Sequence, residues 1–511
     1  MLDITLICPP SASGAITTAL NTNPYLTGLP LPRPDVLAPK DLDYNTGTAD
    51  ILRLEEVRSL ITSDFLVLPC DLVCELGGEK LLQAWMVKSA SLTEVLGASG
   101  LTNGRHVLHS GGLGVWYDSK ANTPIKKEET DFIATAPSPP STVASPKDSL
   151  VHKLSKLVYS MPTDSLNDLT EERKGLPIRH GLLKANPRVR MLTTHRDAHI
   201  YIFPRWILDF IKMNERLDSI AEDVVGWWAK AGWQTGLAEK LQIKEACGMN
   251  ESKKQSDEES QSSPTSESSP TILSPRRATL FQKALAEARL KADWQQRFDV
   301  SKTPQEFEVP PLHAYLHSGA SQAPGSLIRR VDTAALLLAI SLQLAKLPSL
   351  EESSPEDASP YAHSKKIAYP EGVKSRTTIT KQDSLIDSNV TIEEKTSIKE
   401  TVIGANCQIN EGAKLSQCLL MEGVVVGKNC KLTKCILGKR CVIGDNSILT
   451  DCEVQENLLV EPRSESTLED IGEIIVLTTP PSRGQRQQTD ELRGSGGHGG
   501  RDRGCARRSG R

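Results

Sequence analysis

The sequence predicts two folded regions of different classes: a Rossmann-type α/β domain and, after it, a parallel β-helix. Three observations predict them. Over the first 120 residues, apolar runs of strand length alternate with segments of helical spacing. From Ile386 onward, aliphatic residues recur at intervals of five or six positions. Glycine and asparagine recur there in columns, at every seventeenth position.

The elements of the α/β domain follow one another in a regular order. We predict a short buried strand at 3–10 (DITLICPP), a helix at 47–61, a strand at 65–69, a helix at 78–90 and a strand at 111–118. Alternation of this kind favours a parallel sheet with helices packed on it.

A strand followed by a helix is predicted at 191–214, and a second helix at 219–234. Ser219 is a candidate N-cap because Glu222 follows it at capping-box spacing. We expect Trp227, Trp228 and Trp233 to pack this helix on the sheet, since no basic groove surrounds them.

Composition divides the rest of the chain. Low mean hydropathy and a high content of Ser, Glu and Pro predict that residues 250–275 are disordered, and residues 278–294 have the pattern of a helix with a solvated basic face. We predict the following boundaries: an α/β domain at 1–242 with a Pro/Ser/Thr-rich excursion at 119–178, a low-complexity insertion at 243–298, a connecting segment at 299–376 with a helix near 331–347, a β-helix at 377–462, and a disordered Arg/Gly-rich tail at 463–511.

The β-helix is predicted by a repeating interval of six, six and five positions, which makes a period of seventeen over more than four cycles. Each coil would contain three short strands with one inward-facing aliphatic side chain per strand. The aliphatic positions are Ile386, Ile392, Ile398, Ile403, Ile409, Leu415, Leu420, Val426, Leu432, Leu437, Ile443, Leu449, Val454 and Val460.

Residues that tolerate positive φ mark the corners of the predicted coils. One column contains Asn389, Asn406, Gly423 and Asn457, with Arg440 as the exception, and a second contains Gly412, Asn429 and Asn446. Helical periodicity would not produce these columns, so they support the β-helix independently of the aliphatic residues.

The cysteines fit the same register. Of eleven cysteines, six lie between Cys407 and Cys452, and Cys418, Cys435 and Cys452 follow one another at every seventeenth position. A zinc site needs ligands that converge on one point, commonly from C-x-x-C pairs. We therefore predict a structural ladder of reduced thiols and no metal.

Composition and pattern also exclude several functions. A net charge of -4 and an aromatic fraction of 4% disfavour nucleic acid as a partner. The N-terminal segment has no basic region and its apolar run breaks at Pro9, and the apolar run Thr333–Leu347 is shorter than the ~18 residues that span a bilayer. We predict a soluble cytosolic protein without a membrane partner. Residues 364–497 contain no histidine, which argues against acyl transfer on the β-helix because such enzymes need a general base.

Two segments of the first domain resemble the sugar-nucleotide pyrophosphorylase family. Gly47-Thr48-Ala49 in NTGTAD resembles the family's GTA segment, and LPCDLV resembles its strand that ends in a magnesium-binding aspartate, here Asp71. RDAHIYIF, beginning at Arg196, resembles a later strand, with Ala198 and His199 where glycine is usual. The resemblance implies a nucleotidyltransferase-like fold.

The family's opening strand and Gly-rich loop, which cradle the triphosphate, have no counterpart before Asp3. The domain is therefore expected to be incomplete at its N-terminus, either because the chain is truncated there or because the fold is degenerate. On either alternative we predict no catalytic residue and no cofactor. Gly47, Thr48 and Asp71 would be vestigial nucleotide and Mg²⁺ positions, and Asp71 would serve its turn through local hydrogen bonds.

The order of FLVLPCDLV, RDAHIYIF, SIAEDVVGWW, RRVDTAA and the 17-residue coils, over about residues 1–462, resembles the gamma/epsilon family of subunits of eukaryotic translation initiation factor 2B, in its fungal form. The resemblance implies that the β-helix is left-handed. The segment after Pro462 lacks the aromatic helical repeats with which epsilon chains continue, which favours the gamma branch.

The family's function implies a non-catalytic scaffold of a guanine-nucleotide exchange assembly. Its expected partners are the other subunits of initiation factor 2B, chiefly epsilon, which carries the catalysis, and the GTPase initiation factor 2. Two alternatives stay open. One is an active sugar-phosphate nucleotidyltransferase. The other is an RNA-binding protein, a hypothesis that rests only on the Arg/Gly-rich tail.

Overall fold

The computed structural model describes residues 3–28, 32–89, 110–120, 128–138, 149–248, 307–318, 327–352, 358–467 and 475–477. These residues form two units, Met1–Arg329 and Arg330–Arg511. The predictions for 250–275 and 278–294 and for most of the C-terminal tail lie outside the described residues.

The helices of the first unit are short. They are α1 (Pro10–Thr22), α2 (Pro24–Thr27), α3 (Thr48–Arg53), α4 (Glu55–Leu60), α5 (Gly78–Ser89), α6 (Thr163–Arg173), α7 (His180–Ala185), α8 (Trp206–Met213), α9 (Val225–Ala231), α10 (Leu237–Lys240) and α11 (Ile243–Ala246), with a 3₁₀ turn at Leu150–Lys153 and a π turn at Ile220–Val224. The strands are β1 (Thr5–Ile7), β2 (Asp35–Leu37), β3 (Phe65–Val67), β4 (Leu72–Cys74), β5 (Gly112–Asp118), β6 (Asp131–Pro137), β7 (Leu154–Pro162), β8 (Arg190–Phe203), β9 (Leu312–His317) and β10 (Ile328–Arg330).

The central sheet of the first unit has the strand order β3-β8-β5-β9-β7-β6. Only the β5–β9 pair is parallel, and the other neighbouring pairs are antiparallel. The expectation of a parallel sheet was therefore wrong. The long strand β8 accounts for two of the four antiparallel pairs, because it lies between β3 and β5 and runs opposite to both.

Residues 119–178 are not simply an excursion, because they supply β6, β7 and α6. The residues from Phe132 to Ala136 and most of β7 are buried or half-buried in the sheet. Likewise, the predicted connecting segment 299–376 supplies β9 and β10. Pro and Ser flank these strands in the sequence, and that composition concealed them.

The first strand also differs from expectation. β1 pairs in parallel with β2 in a separate two-stranded sheet, and its residues are exposed or half-exposed. The predicted buried strand at 3–10 is thus a strand, but it lies outside the central sheet.

The aromatic core forms where α8 and α9 pack on the sheet. Trp228 is almost fully buried, and its ring lies 5.0 Å from that of Trp206 in an edge-to-face arrangement. Trp233 donates a hydrogen bond from Nε1 to the carbonyl oxygen of Val158 in β7. The prediction that these tryptophans pack on the sheet was correct for Trp228 and Trp233 and wrong for Trp227, which is 38% exposed.

Ser219 caps the π turn as predicted, because its hydroxyl accepts from the Glu222 amide at 3.4 Å.

The second unit contains the β-helix and α12 (Ala334–Ala345), within the helix predicted near 331–347. Three parallel sheets form its faces. Face A contains β11 (Thr378–Ile379), β14 (Ser397–Lys399), β17 (Lys414–Ser416), β20 (Lys431–Thr433), β23 (Ile448–Thr450) and β26 (Glu465–Thr467). Face B contains β12 (Leu385–Ile386), β15 (Val402–Ile403), β18 (Leu419–Leu420), β21 (Ile436–Leu437), β24 (Cys452–Val454) and β27 (Ile475–Leu477). Face C contains β13 (Thr391–Ile392), β16 (Gln408–Ile409), β19 (Val425–Val426), β22 (Val442–Ile443) and β25 (Leu459–Val460).

From β12 to β26 the register between coils repeats at every seventeenth position, as predicted, whereas Thr378 pairs with Ser397 and Cys452 pairs with Ile475 at longer intervals. Ile409 pairs with Val426, and Val426 pairs with Ile443. The predicted aliphatic positions are buried and form one core. The fold extends beyond the predicted limits 377–462, since Ile367 bridges to Ile386 and β26 and β27 lie inside the predicted tail.

All three corners of the coils adopt positive φ. The two predicted columns are confirmed, and Arg440 joins the first with a φ of 55°. The sequence missed a third column, at Glu400, Gln417, Lys434 and Asp451. None of these four residues is glycine or asparagine, so no residue type marked that corner.

No helix among the described residues combines the length and apolar character needed to cross a membrane.

Candidate functional site

The segment Gly47-Thr48-Ala49, which resembles a nucleotide-binding motif, lies against the loop before the π turn. A Cβ atom on Gly47 would lie 2.0 Å from Oδ1 of Asp218 and 2.4 Å from its carbonyl oxygen. The Thr48 hydroxyl accepts from the Ile220 amide at 2.9 Å, and the Ala49 amide donates to the Asp218 carbonyl at 2.9 Å. These polar groups are therefore used for an internal clamp.

Arg53, one turn further along α3, continues this clamp. Its guanidinium donates to the carbonyl oxygens of Ile211 at 3.1 Å and Asn214 at 2.7 Å, and it pairs with Asp50. Asp50 also hydrogen-bonds to Asp218 and raises its pKa. Arg53 thus satisfies carbonyl groups at the C-terminal end of α8, where a helix leaves acceptors without intrahelical partners.

Asp71 lies in the turn between β3 and β4, half-buried, with its Oδ1 atom inaccessible to solvent. Gly47 and Thr48 are tied to Asp218 and Ile220, whereas β4 beside Asp71 pairs with β10. The assignment of Gly47, Thr48 and Asp71 as vestigial nucleotide and Mg²⁺ positions stays a prediction.

Strand β8, which contains RDAHIYIF, carries buried charges that no motif alone would identify as partners. Asp197 accepts from the His199 amide at 2.8 Å and from the Tyr201 hydroxyl, and its own amide donates to Oδ2 of Asp131 at 2.7 Å. Burial, together with the nearby charge of Asp197, raises the pKa of Asp131 to about 7. His199 has a φ of 52°, and Ala198 and His199 stand where glycine is usual in the family that this strand resembles.

A second buried group joins the sheet to β10. Oε1 of Glu128 lies 4.0 Å from Arg196 and 3.5 Å from Arg329, and all three side chains are at most 5% exposed. The Arg329 guanidinium also lies 5.3 Å from the centre of the Tyr117 ring. Proteins accommodate ionised groups in a core by placing opposite charges in contact. We therefore assign a structural role to these three side chains.

The cysteine ladder occupies one inner corner of the β-helix. Cys418, Cys435 and Cys452 are buried and reduced. Each thiol donates to the carbonyl oxygen two residues before it, at 3.2 to 3.3 Å. Hydrogen bonding with Cys418 and burial raise the pKa of the Cys435 thiol to about 12, which disfavours the reactive thiolate. The predicted thiol ladder is present in the predicted register.

Face C of the β-helix carries an aliphatic column on its outer side. Val425, Val442 and Leu459 pair with one another in register on successive coils, and Leu459 is 63% exposed. On face A the corresponding outer positions include the exposed lysines Lys414 and Lys431. Sequence reasoning did not identify these outer columns, although the same 17-residue register would have given them.

Comparisons with known proteins agree with this picture. Residues 367–465 match the family model described as the LbH domain of EIF2B subunit epsilon. Translation initiation factor eIF2B subunit gamma of Schizosaccharomyces pombe is 26% identical over 210 residues, which cover 41% of this chain and 37% of that protein. The two matches support the gamma/epsilon family, and the first identifies the β-helix as left-handed.

A solved structure, a hexapeptide transferase family protein from Anaplasma phagocytophilum, is 20% identical and covers 24% of this chain and 86% of that chain, with a TM-score of 0.15. That score is too low to support an argument about fold or activity.

Proposed function

We propose that this chain is a non-catalytic scaffold subunit of the cytosolic guanine-nucleotide exchange factor that converts GDP-bound translation initiation factor 2 to its GTP-bound form. The observation that carries the proposal is the β-helix, whose 17-residue coils match the epsilon LbH family model over residues 367–465. The similarity to the gamma subunit of Schizosaccharomyces pombe supports the same assembly.

The clamp at Gly47–Ala49 supports a scaffolding role over nucleotidyl transfer. The Ala49 amide donates to Asp218, and the Thr48 hydroxyl accepts from Ile220. The Ala49 amide is committed to the fold in this way and cannot donate to a bound ligand without breaking the clamp. The segment that resembles a nucleotide motif therefore contributes to stability here.

Face C is the surface that we assign to the epsilon subunit. An aliphatic column on a flat parallel sheet offers apolar area without a rearrangement of the backbone, and burial of apolar area is the main favourable term in association. Val442 lies at the centre of the column, between Val425 and Leu459.

Exchange kinetics test the proposal. We expect the chain alone not to accelerate GDP release from initiation factor 2, and we expect it to accelerate release by purified epsilon when the two are combined. Val442→Glu should abolish the acceleration, because it places a charge in the apolar column. Thr433→Glu is the matched control, since Thr433 is also half-buried but lies on face A.

Two results would contradict the proposal. One is GDP release by the chain in the absence of epsilon. The other is Mg²⁺-dependent pyrophosphate release from a nucleoside triphosphate and a sugar phosphate that Asp71→Ala abolishes, which would establish the nucleotidyltransferase alternative.

A further inference from the structure

A cavity of about 240 Å³ lies in the first unit, away from the Gly47–Ala49 clamp. It is formed between β6, β7, the C-terminal end of α6, the start of α7 and α9. We call it the Lys230 cavity. The side chains that matter for its chemistry are Phe132, Tyr159, Arg173, Arg179, Trp227 and Lys230.

The Lys230 cavity has an excess of positive charge. Three of its lining side chains are cationic, and none of the described lining residues is acidic. Among the described residues, Arg173 forms a salt bridge only with the exposed Glu172, at 3.9 Å. Within the described part of the chain, neither Lys230 nor Arg179 forms a salt bridge.

Lys230 and Arg179 lie close enough to repel one another. Burial and the nearby Arg179 both lower the pKa of Lys230, and Asp223 opposes them as the smaller effect. An anion placed between Lys230 and Arg179 would relieve this repulsion and would be held by charge-assisted hydrogen bonds.

The walls of the cavity are aromatic. The Lys230 ammonium lies 4.7 Å from the centre of the Tyr159 ring and 4.9 Å from that of Trp227. Phe132 packs edge-to-face on Tyr159 with ring centres 5.7 Å apart. The rings hold the ammonium in position, and Trp227, 38% exposed, leaves an aromatic surface open at the rim.

A purely structural role accounts for only part of this arrangement. Cation–π contacts can tether a lysine to a helix surface. They do not account for Arg179, a second cation at the same opening that forms no salt bridge within the described part of the chain. Aromatic walls combined with unneutralised cations are the features that recognise a flat ring bearing a negative charge.

We propose that the Lys230 cavity binds a small anion that carries a planar ring, with its phosphate or carboxylate group between Lys230 and Arg179 and its ring against the aromatic wall. This site is separate from the segments that resemble a nucleotidyltransferase, and it does not depend on the assembly role.

Calorimetric titration of the full chain with adenosine monophosphate tests the proposal, with inorganic phosphate and adenosine as the half-ligands. We expect one site per chain, with each half-ligand binding at least about tenfold more weakly, because stacking and charge pairing each contribute to the affinity. Lys230→Met retains the aliphatic stem and should weaken binding about tenfold or more. Lys212→Met removes an exposed lysine elsewhere and should leave binding unchanged.

Three results would overturn the proposal: no binding of the monophosphate by a folded chain, binding that Lys230→Met and Arg179→Ala both leave intact, or binding that Asp71→Asn abolishes. The last would assign the ligand to the remnant nucleotidyltransferase site. Circular dichroism of each variant establishes that it is folded, so that a loss of binding reports on the cavity.

Discussion

The two units of this protein reach their folds by different routes. In the β-helix, each strand from β12 to β23 pairs with its equivalent in the next coil, seventeen positions along the chain, so that equivalent positions stack on one another. In the α/β unit, β8 pairs with β3, β5 and β6, which come from distant parts of the chain. The β-helix is therefore specified by a local repeat, whereas the α/β unit depends on contacts between segments that are far apart.

The largest expected effect concerns the repeated core. Leu432 is 1% exposed at the centre of the stack, and Leu432→Ala should cost about 3 kcal/mol, because it removes buried methyl groups and leaves a cavity. Hydrogen exchange of peptides from the neighbouring coils measures the loss of protection. Leu459→Ala, at an exposed position of the same unit, should cost less than about 0.5 kcal/mol. Equal effects for the two variants would show that the coils do not share one core.

The α/β unit should respond to pH through Asp131. Its pKa is raised to about 7 in the folded protein, so the folded state holds the proton more tightly than the unfolded state. The free energy of unfolding should therefore fall as pH rises from about 4 to 7, by at most about 1.4 kcal/mol per pH unit.

Asp131→Asn should remove this slope, and urea unfolding at pH 5 and pH 7 measures it. We expect a difference of about 2 kcal/mol between the two pH values in the unmodified protein. The exposed carboxylate of Asp164 provides the control, since Asp164→Asn should leave the slope in place. A slope that survives Asp131→Asn would contradict the assignment of the pH dependence to Asp131.

The clamp in the α/β unit should be sensitive to one methyl group. Gly47→Ala would bring Cβ against Asp218, and the required displacement should cost about 1.5 kcal/mol. Gly77→Ala is the matched control, because nothing lies within 4 Å of its Cβ position. Thermal unfolding followed by tryptophan fluorescence measures the difference. If both variants melted at the same temperature, the clamp would not contribute to stability.

The corners of the coils should give the smallest effects, and their signs should be opposite. Gly423 has a φ of 72° and Lys434 a φ of 54°. Gly423→Ala should cost about 1 kcal/mol, because an L-residue is strained in the left-handed region. Lys434→Gly should be stabilising by about 0.5 kcal/mol, since relief of strain exceeds the added flexibility of the unfolded chain. Denaturant unfolding of the two variants measures both signs, and a shared sign would contradict the corner geometry.

The same contrast explains how much the sequence could predict. The register, the inner aliphatic positions and the thiol ladder followed from one period, because each residue contacts its equivalents in adjacent coils. The positions of strands in the α/β unit were predictable from apolar runs such as 111–118. The direction of β8 was not predictable, because it is set by strands that are distant in the sequence. The corner at Lys434 was missed because strain there is tolerated without glycine or asparagine.

The candidate sites could also be predicted only as far as their residues lie in one segment. Gly47, Thr48 and Asp71 were recognisable from short motifs, yet the partner of Gly47 and Thr48, the loop at Asp218–Ile220, lies far away along the chain, with Thr48 and Ile220 separated by 172 positions. The Lys230 cavity combines Phe132, Tyr159, Arg179 and Trp227 from four separate parts of the chain. Neither arrangement has a signature within any one segment.

Affinity purification of the tagged full chain from cells, with quantitative mass spectrometry, tests the central claim most directly. We predict co-purification of the epsilon subunit in a one-to-one ratio, together with the other subunits of initiation factor 2B and initiation factor 2 itself, and loss of epsilon from the Val442→Glu variant but not from the Thr433→Glu variant. Recovery of the unmodified chain alone or only as a homo-oligomer, with no subunit of the exchange factor, would contradict the account.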